Sequence, residues 1–375
     1  MNFLFISENL PIDTYASEVV FYRHFKKLVE NGHSVHILTD QNSYTNRKKD
    51  LWSKFKVHIL PNRKWYYLPF KPFGILKYIR FSHYYYTYTK NLIVEQKINK
   101  LIGYISGNFL MAFAAFVQKK TSLPLISFFH DDTNELNFDD DKKSINHNTI
   151  EILNASAKVF IASEAFKTNW SKYSHKFCLL YPIPTDNITS KSIYPKLTNL
   201  EIGYSGSVYN EILPSLEKFS GYLAEMNANL TIIGNNEAVY QLSTQYKQVT
   251  CLPMFDTAKE ANNYLIVNCN ICLIAYPENM IDMPWIKTCF PSKFIQYCML
   301  GLPTLIIAPI DSALGKWCTQ NSWILYSEKY DIKLINQLLH QALTNEDVAK
   351  QVKHLRNKVF NPNILHQNFE ETLIA

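Results

Sequence analysis

Glycine is scarce in this chain, 10 of 375 residues, so no glycine fingerprint for a nucleotide carries the reading. No apolar stretch approaches the ~20 residues that span a bilayer. The opening MNFLFISENLP lacks a basic region and soon turns polar, which argues against a signal peptide. The seven cysteines are odd in number and scattered, a pattern of reduced thiols rather than a disulfide framework. Cys269-x-x-Cys272 has no second CxxC and no histidine pair beside it, so core thiols are expected there and no metal site. Charged residues are only 19% and hydrophobic ones 47%, which excludes general disorder. The halves share no sequence repeat.

What is present is an alternation of short apolar runs and longer amphipathic ones, the pattern of parallel sheets with crossover helices. A chain of 375 residues suits two domains better than one core. Phe3 to Ser7 reads as a first strand, followed by a helix from Glu18 to Glu30 with Val19, Val20, Phe25 and Leu28 inward. Strands are expected at Ser34 to Thr39, Val57 to Leu60, Leu101 to Ile105, Leu123 to Phe129 and Lys158 to Ala162. Tyr181 to Leu197 holds three prolines among polar residues and reads as the connection. The pattern then restarts. Strands are expected at Leu200 to Ser205, Leu230 to Ile233, Val249 to Leu252, Asn270 to Ala275, Leu302 to Ala308 and Trp323 to Leu325. Helices are expected at Ile212 to Met226, Ile332 to Leu343 and Glu346 to Val359. The fold class is α/β: two Rossmann-like, doubly wound domains facing an interdomain cleft, where such sheets bind ligands.

The block Phe290 to Pro309, FPSKFIQYCMLGLPTLIIAP, is the most specific segment. Ser292 is expected to cap a helix beside Lys293, bringing free backbone N–H groups and a cation to one helix start, a place to hold phosphate. Phe294, Ile295, Tyr297, Cys298 and Leu300 form its apolar stripe, Gly301 stops it, and Thr304 to Ala308 read as a buried parallel strand.

His130-Asp131 at a strand end, the run Ala157 to Ser163, Gly203-Tyr204-Ser205-Gly206-Ser207, Leu230 to Gly234 and the Phe290 block together resemble the GT-B glycosyltransferases. The nearest pattern is the large retaining branch known as family 4, and the likeness runs from Met1 to Pro309. The resemblance implies an N-terminal acceptor-side domain over 1–181, a connection over 182–199, and a nucleotide-sugar domain over 200–360. The segment 361–375 would then pack back on the first domain. It further implies that Gly206 and Ser207 approach the donor diphosphate, that Gly234 and Asn235 lie near the nucleotide, and that Phe255 lines the base. Pro291, Ser292 and Lys293 would face phosphate and Gln296 the ribose diol. The glutamate that the family places on the donor sugar falls on Thr288, which leaves Glu278 or Asp282 as available carboxylates. The second family glutamate is Gln296 itself. In the N-terminal domain the family's Gly-Gly pair is missing from Thr14-Tyr15-Ala16-Ser17-Glu18, where Glu18 and small residues survive, and His130 corresponds to a histidine that positions the donor sugar. His130 and Glu18 are thus the catalytic candidates.

The resemblance implies a metal-independent enzyme, with no cofactor beyond the nucleotide-diphosphate sugar that is its substrate. It would move a hexose-type sugar, with retention, to a saccharide or lipid-linked acceptor in surface polysaccharide or glycolipid synthesis. The Thr288 and Gln296 departures keep open a catalytically inactive homologue that only binds nucleotide sugar or a partner. An epimerase or phosphorylase on the same fold has no motif here. The D-x-D of Asp139 to Asp141 reads as a solvated acidic loop. Residues 54–100 interleave Arg63, Lys64, Lys71, Lys77 and Arg80 with Trp65, Tyr66, Phe70 and Phe81. That mixture, with a net charge of +6, suits an anionic inner-leaflet surface, while Tyr84 to Tyr88 equally suit helix packing. No nucleic-acid motif accompanies it. The expected location is cytoplasmic, peripheral to the plasma membrane.

Overall fold

The computed structural model describes residues 1–13, 16–61, 85–107, 109–132, 135, 142–186, 188, 200–234 and 236–375. The chain divides into two units, Met1–Ile183 with His366–Ala375, and Pro184–Leu365. In the first, β1 (Asn2–Ile6), β2 (Ser34–Thr39), β3 (Lys56–Ile59), β4 (Lys100–Tyr104), β5 (Leu125–Phe129), β6 (Ser156–Ile161) and β7 (Phe177–Leu179) pair in the order β3-β2-β1-β4-β5-β6-β7. In the second, β8 (Leu200–Ser205), β9 (Ala228–Gly234), β10 (Val249–Pro253), β11 (Ile271–Ala275), β12 (Thr304–Ile307) and β13 (Tyr326–Ser327) pair as β10-β9-β8-β11-β12-β13. Every pairing in both sheets is parallel. The doubly wound α/β expectation holds for each unit. In both, the strand order reverses beside the first strand, between β1 and β4 and between β8 and β11. Such a reversal, at the carboxyl ends of the strands, is where open α/β sheets bind ligands.

Side-chain alternation explains why both faces are covered. Phe3 and Phe5 of β1 pack with Phe21 and Phe25 on one face, while Leu4 and Ile6 join Leu110 and Phe113 on the other. The helix Ala16–Glu30 buries Val20, Phe21, Phe25 and Leu28. Val19, expected inward, is only half-buried, because Phe21 is the residue one turn from Phe25 and stacks on it. The end of the helix Pro362–Ile374 belongs to the first unit, where Phe369 and Leu373 are fully buried and Phe369 contacts Phe128 and Phe160.

Several boundaries differ from the expectation. The helix expected to run to Met226 covers only Leu213–Ser220, where the Ser220 hydroxyl bonds back to Leu216 O and Gly221 follows. Glu346–His354 is α-helical, but Leu355–Val359 is a π-turn. The strand expected at Trp323 is Tyr326–Ser327, since Trp323 turns into the core and donates its indole N–H to Thr304 O at 3.0 Å. Residues 62–84, Asp139 to Asp141 and most of the expected connection lie outside the described residues. Tyr85 and Tyr86 are helix packing, against Phe109, Phe113 and Phe116. Cys269 and Cys272 are buried thiols. Among the described residues no helix is long and apolar enough to cross a membrane.

Candidate functional site

In the second unit β8 runs into the turn Ser205-Gly206-Ser207. Gly206 has φ +112°, and a Cβ added there would stand 2.8 Å from Lys293 Cε. The left-handed backbone favours glycine, and any side chain there would have to displace the lysine end. Lys293 lies in the first turn of the helix Ser292–Leu300 and reaches across this turn. Its Nζ donates to Tyr204 Oη at 2.6 Å and to Ser207 O at 3.0 Å, and it sits 4.1 Å from the Tyr204 ring centroid. Tyr204 Oη donates in turn to Ser207 O at 3.1 Å. Among the described residues no acid pairs with the ammonium, and burial pulls it down to about 7. A half-buried cation whose partners are all neutral is what an incoming anion would compensate.

The same helix secures the strand end one turn further on. Tyr297 Oη accepts from Ser205 N at 2.9 Å and donates to Ser205 O at 3.3 Å. Behind the helix, the Phe294 ring contacts Trp317 at 5.0 Å, Trp323 at 5.3 Å and Phe360 at 5.8 Å, which fixes its direction. Gly301, at φ +77°, closes it as expected, with Leu302 N donating back to Tyr297 O. Its start corrects the sequence reading. Pro291, extended at φ −71° and ψ 118°, occupies the cap position, and Ser292 is the first helical residue, with no side-chain cap. Ser292 is exposed. The first helical N–H groups therefore remain available, in addition to the lysine.

Gly234, at the end of β9, lies against this turn: a Cβ there would be 3.2 Å from Val208 Cγ2 and 3.6 Å from Gly206 O. Asn236 Nδ2 ties the two loops by donating to Val208 O and Asn210 Oδ1, each at 3.1 Å. Gly206, Ser207, Gly234 and Lys293 thus converge, with Pro291 and Ser292 at the same helix start. Gln296, three residues on from Lys293 and on the same helix face, has an enclosed Nε2 with no hydrogen-bond partner. Asn235 lies outside the described residues. Phe255 follows β10, two strands from β8, with its ring on Tyr264 at 5.8 Å. Glu278 is already engaged: Oε2 meets Lys218 Nζ at 3.1 Å and Oε1 accepts from Tyr330 N at 3.0 Å. These bonds, the backbone one foremost, hold its carboxyl below the usual range. Thr288 is completely buried.

In the first unit, His130 follows β5 and is buried against Phe21, Tyr104 and Phe128. Burial pulls its imidazole down to about 4, so it is neutral near pH 7. Asp132, two residues on, accepts the Trp170 indole N–H at 2.7 Å. Glu18 sits in the first turn of its helix, one turn before Phe21, and accepts from Asn9 Nδ2 at 3.4 Å. Burial raises its carboxyl. Sequence reasoning missed Glu8. It stands just beyond β1 and accepts the Leu110 N–H at 2.7 Å at the start of the helix Phe109–Thr121, and burial pushes its carboxyl up to about 7. Its only sequence signal was an acid directly after the first strand.

No protein-family model matches the chain, and no curated protein matches it in sequence. Solved structures do match in shape. Anabaena HepE, solved in complex with UDP, is 13% identical at a TM-score of 0.65, with 100% of this chain and 99% of that one covered. The lipopolysaccharide outer core galactosyltransferase WaaB is 12% identical at 0.67, over 100% and 99%. Sucrose-phosphate synthase from Thermosynechococcus elongatus is 13% identical at 0.65, over 100% and 98%. These are GT-B proteins matched along their whole length, and the fold of this chain is GT-B.

Proposed function

We propose that this chain is a glycosyltransferase that takes a hexose-type sugar from a nucleotide-diphosphate donor bound at the Gly206–Lys293 cradle. The observation that carries the reading is Lys293: a half-buried ammonium with no acid partner among the described residues, at a helix start, over a glycine turn. A leaving diphosphate gathers negative charge as the glycosidic bond breaks, and a fixed cation with helix N–H groups stabilises that charge without a metal. The UDP bound in the similar HepE structure supports a nucleotide in this role. Retention, a saccharide or lipid-linked acceptor in surface polysaccharide or glycolipid synthesis, and docking on an anionic inner leaflet complete the proposal. The basic, aromatic composition of residues 54–100 supports the last.

The test is calorimetric titration with UDP, followed by a donor-hydrolysis screen. Lys293→Met keeps the methylenes and removes one charge-assisted contact worth about 1.5–3 kcal/mol. UDP affinity is expected to fall about ten- to hundredfold; unchanged affinity would mean the diphosphate does not sit there. A second reading, a GT-B protein that binds donor without turnover, is favoured by the buried Thr288 and the engaged Glu278. UDP binding without hydrolysis or transfer, across donors and acceptors, would select it.

A further inference from the structure

The segment His366–Ala375 belongs to the first unit although the chain before it belongs to the second, so the crossing falls at His366. Phe369 and Leu373 hold the segment by packing into the aromatic core of the first unit. Lys100 Nζ holds its end, donating to Ile374 O at 3.0 Å. At its start stands a contact of another kind. His366 Nδ1 lies 3.3 Å from His24 Nδ1 of the helix Ala16–Glu30, the rings stack at 5.6 Å, and both residues are buried. Phe369 and Phe128 pack on the His24 ring at 4.4 and 6.5 Å.

Two imidazoles joined nitrogen to nitrogen share a hydrogen bond only while one of the two Nδ1 atoms carries no proton. Neutral rings meet that condition, and so does a pair holding one extra proton. A second extra proton sets N–H against N–H and puts two positive charges into one buried contact, so the bond is lost and repulsion replaces it. The surroundings admit the first charge and not the second. Glu370 Oε2 lies 3.7 Å from His366 Nε2. The same carboxylate also meets His33 Nε2 at 3.0 Å and Asn31 Nδ2 at 2.8 Å, and the Met1 amine lies 3.0 Å from His33 Nδ1. The charged groups acting on His24 are His366, His130, Lys27 and Arg23, with no acid among them. Arg23 is paired with Asp13. His24 Nε2 is enclosed, with no hydrogen-bond partner to take up the N–H of a charged ring. We propose that His24 and His366 form a pH-sensitive latch, which fastens the segment His366–Ala375 to the first unit while the pair is neutral and releases it when both rings are protonated. The inference stands apart from the glycosyl-transfer reading. Its sign follows from burial and the neighbouring cations, which hold His24 well below the usual histidine range. The contribution of His24 to docking is therefore full above pH 6.5 and is lost as pH falls, by up to about tenfold in the docking equilibrium per pH unit.

The experiment is hydrogen–deuterium exchange by mass spectrometry on the full chain at pH 7.5, 6 and 5, with rates corrected for the intrinsic effect of pH. The backbone amides of residues 366–375 should lose about tenfold or more in protection between pH 7.5 and 5. At pH 5 they should exchange at least about tenfold faster than those of β1 and β4, which marks release from a unit that is still folded. His24→Phe keeps a ring on Phe369 and removes the titrating nitrogens, and it should abolish most of the acid loss; His366→Phe should do the same. Protection of the segment that does not change with pH would overturn the latch. So would a segment that matches β1 and β4 at pH 5, because it would then open only when the whole unit unfolds. An acid loss as large in both variants as in the parent would also overturn it, by placing the sensitivity in Glu370 or in the Met1–His33 contact. Should either variant fail to fold, the contrast between segment and core strands in the parent decides.

Discussion

Gly206→Ala is the perturbation with the most definite consequences. At φ +112° an alanine pays backbone strain of about 1–3 kcal/mol, and its methyl would stand 2.8 Å from Lys293 Cε and 3.4 Å from Nζ. The backbone of the turn cannot retreat far, because Gly206 N donates to Ile233 O at 2.9 Å and Ser205 is held by Tyr297. The lysine end is the flexible partner, so it should leave its seat on Tyr204. Two effects then separate. Strain lowers stability whether or not the lysine is present, by about 2–4 °C in melting temperature per kcal/mol for a unit of this size. Nucleotide affinity falls only through the displaced lysine, by the same ten- to hundredfold expected for its removal. The assay is a double-mutant cycle with Lys293→Ala, read by thermal unfolding and by UDP titration. In the Gly206→Ala background, Lys293→Ala should cost little further UDP affinity, while the stability loss from Gly206→Ala should persist. Strictly additive losses of UDP affinity, or a Gly206→Ala protein that melts and binds like the parent, would refute the reasoning.

Two further outcomes depend on pH. Because Lys293 sits near 7 in the folded protein, diphosphate binding above that pH must take up a proton. UDP affinity should therefore fall as pH rises from 7, by at most about tenfold per unit, whereas Lys293→Arg should give a flat profile. In the first unit, His24 and His366 face each other across 3.3 Å, with Glu370 3.7 Å from His366. Burial and the neighbouring His366, His130, Lys27 and Arg23 hold His24 well below its usual range. A depressed histidine stabilises the fold above pH 6.5 and loses that contribution as pH falls. Unfolding at pH 5 should accordingly be easier by about 2 kcal/mol per such buried histidine. Urea titrations of His24→Phe should show a smaller loss between pH 7 and 5; an equal loss would place the acid sensitivity elsewhere.

Local pattern was enough to read most strands of both sheets, because a strand covered on both faces must be apolar throughout; the short β7 at Phe177–Leu179 went unread, and the last strand is Tyr326–Ser327 rather than Trp323 to Leu325. Leu230 to Gly234 and Thr304 to Ile307 can be little else. The Phe290 block was likewise legible: its stripe, its glycine stop and its lysine are all local. The cap was not, since Pro291 and Ser292 compete for one position and only the backbone shows that proline takes it. Helix ends at Ser220 and His354 also escaped, being set by a side-chain back-bond and a π-turn rather than by composition.

The sequence by itself determined the architecture, because hydrophobic period and breaker residues act over a few neighbours and repeat along the chain. Tertiary structure decided which polar groups do anything. Glu278 looked available and is engaged by Lys218 and Tyr330, 60 and 52 residues away in sequence. Glu8 looked ordinary and is an enclosed acid beside a helix start. Lys293 owes its lowered ammonium to burial, at a turn built from Tyr204 and Gly206 almost ninety positions earlier. Burial and partnership are long-range properties: they arise when distant segments meet and exclude water, and no local pattern encodes them.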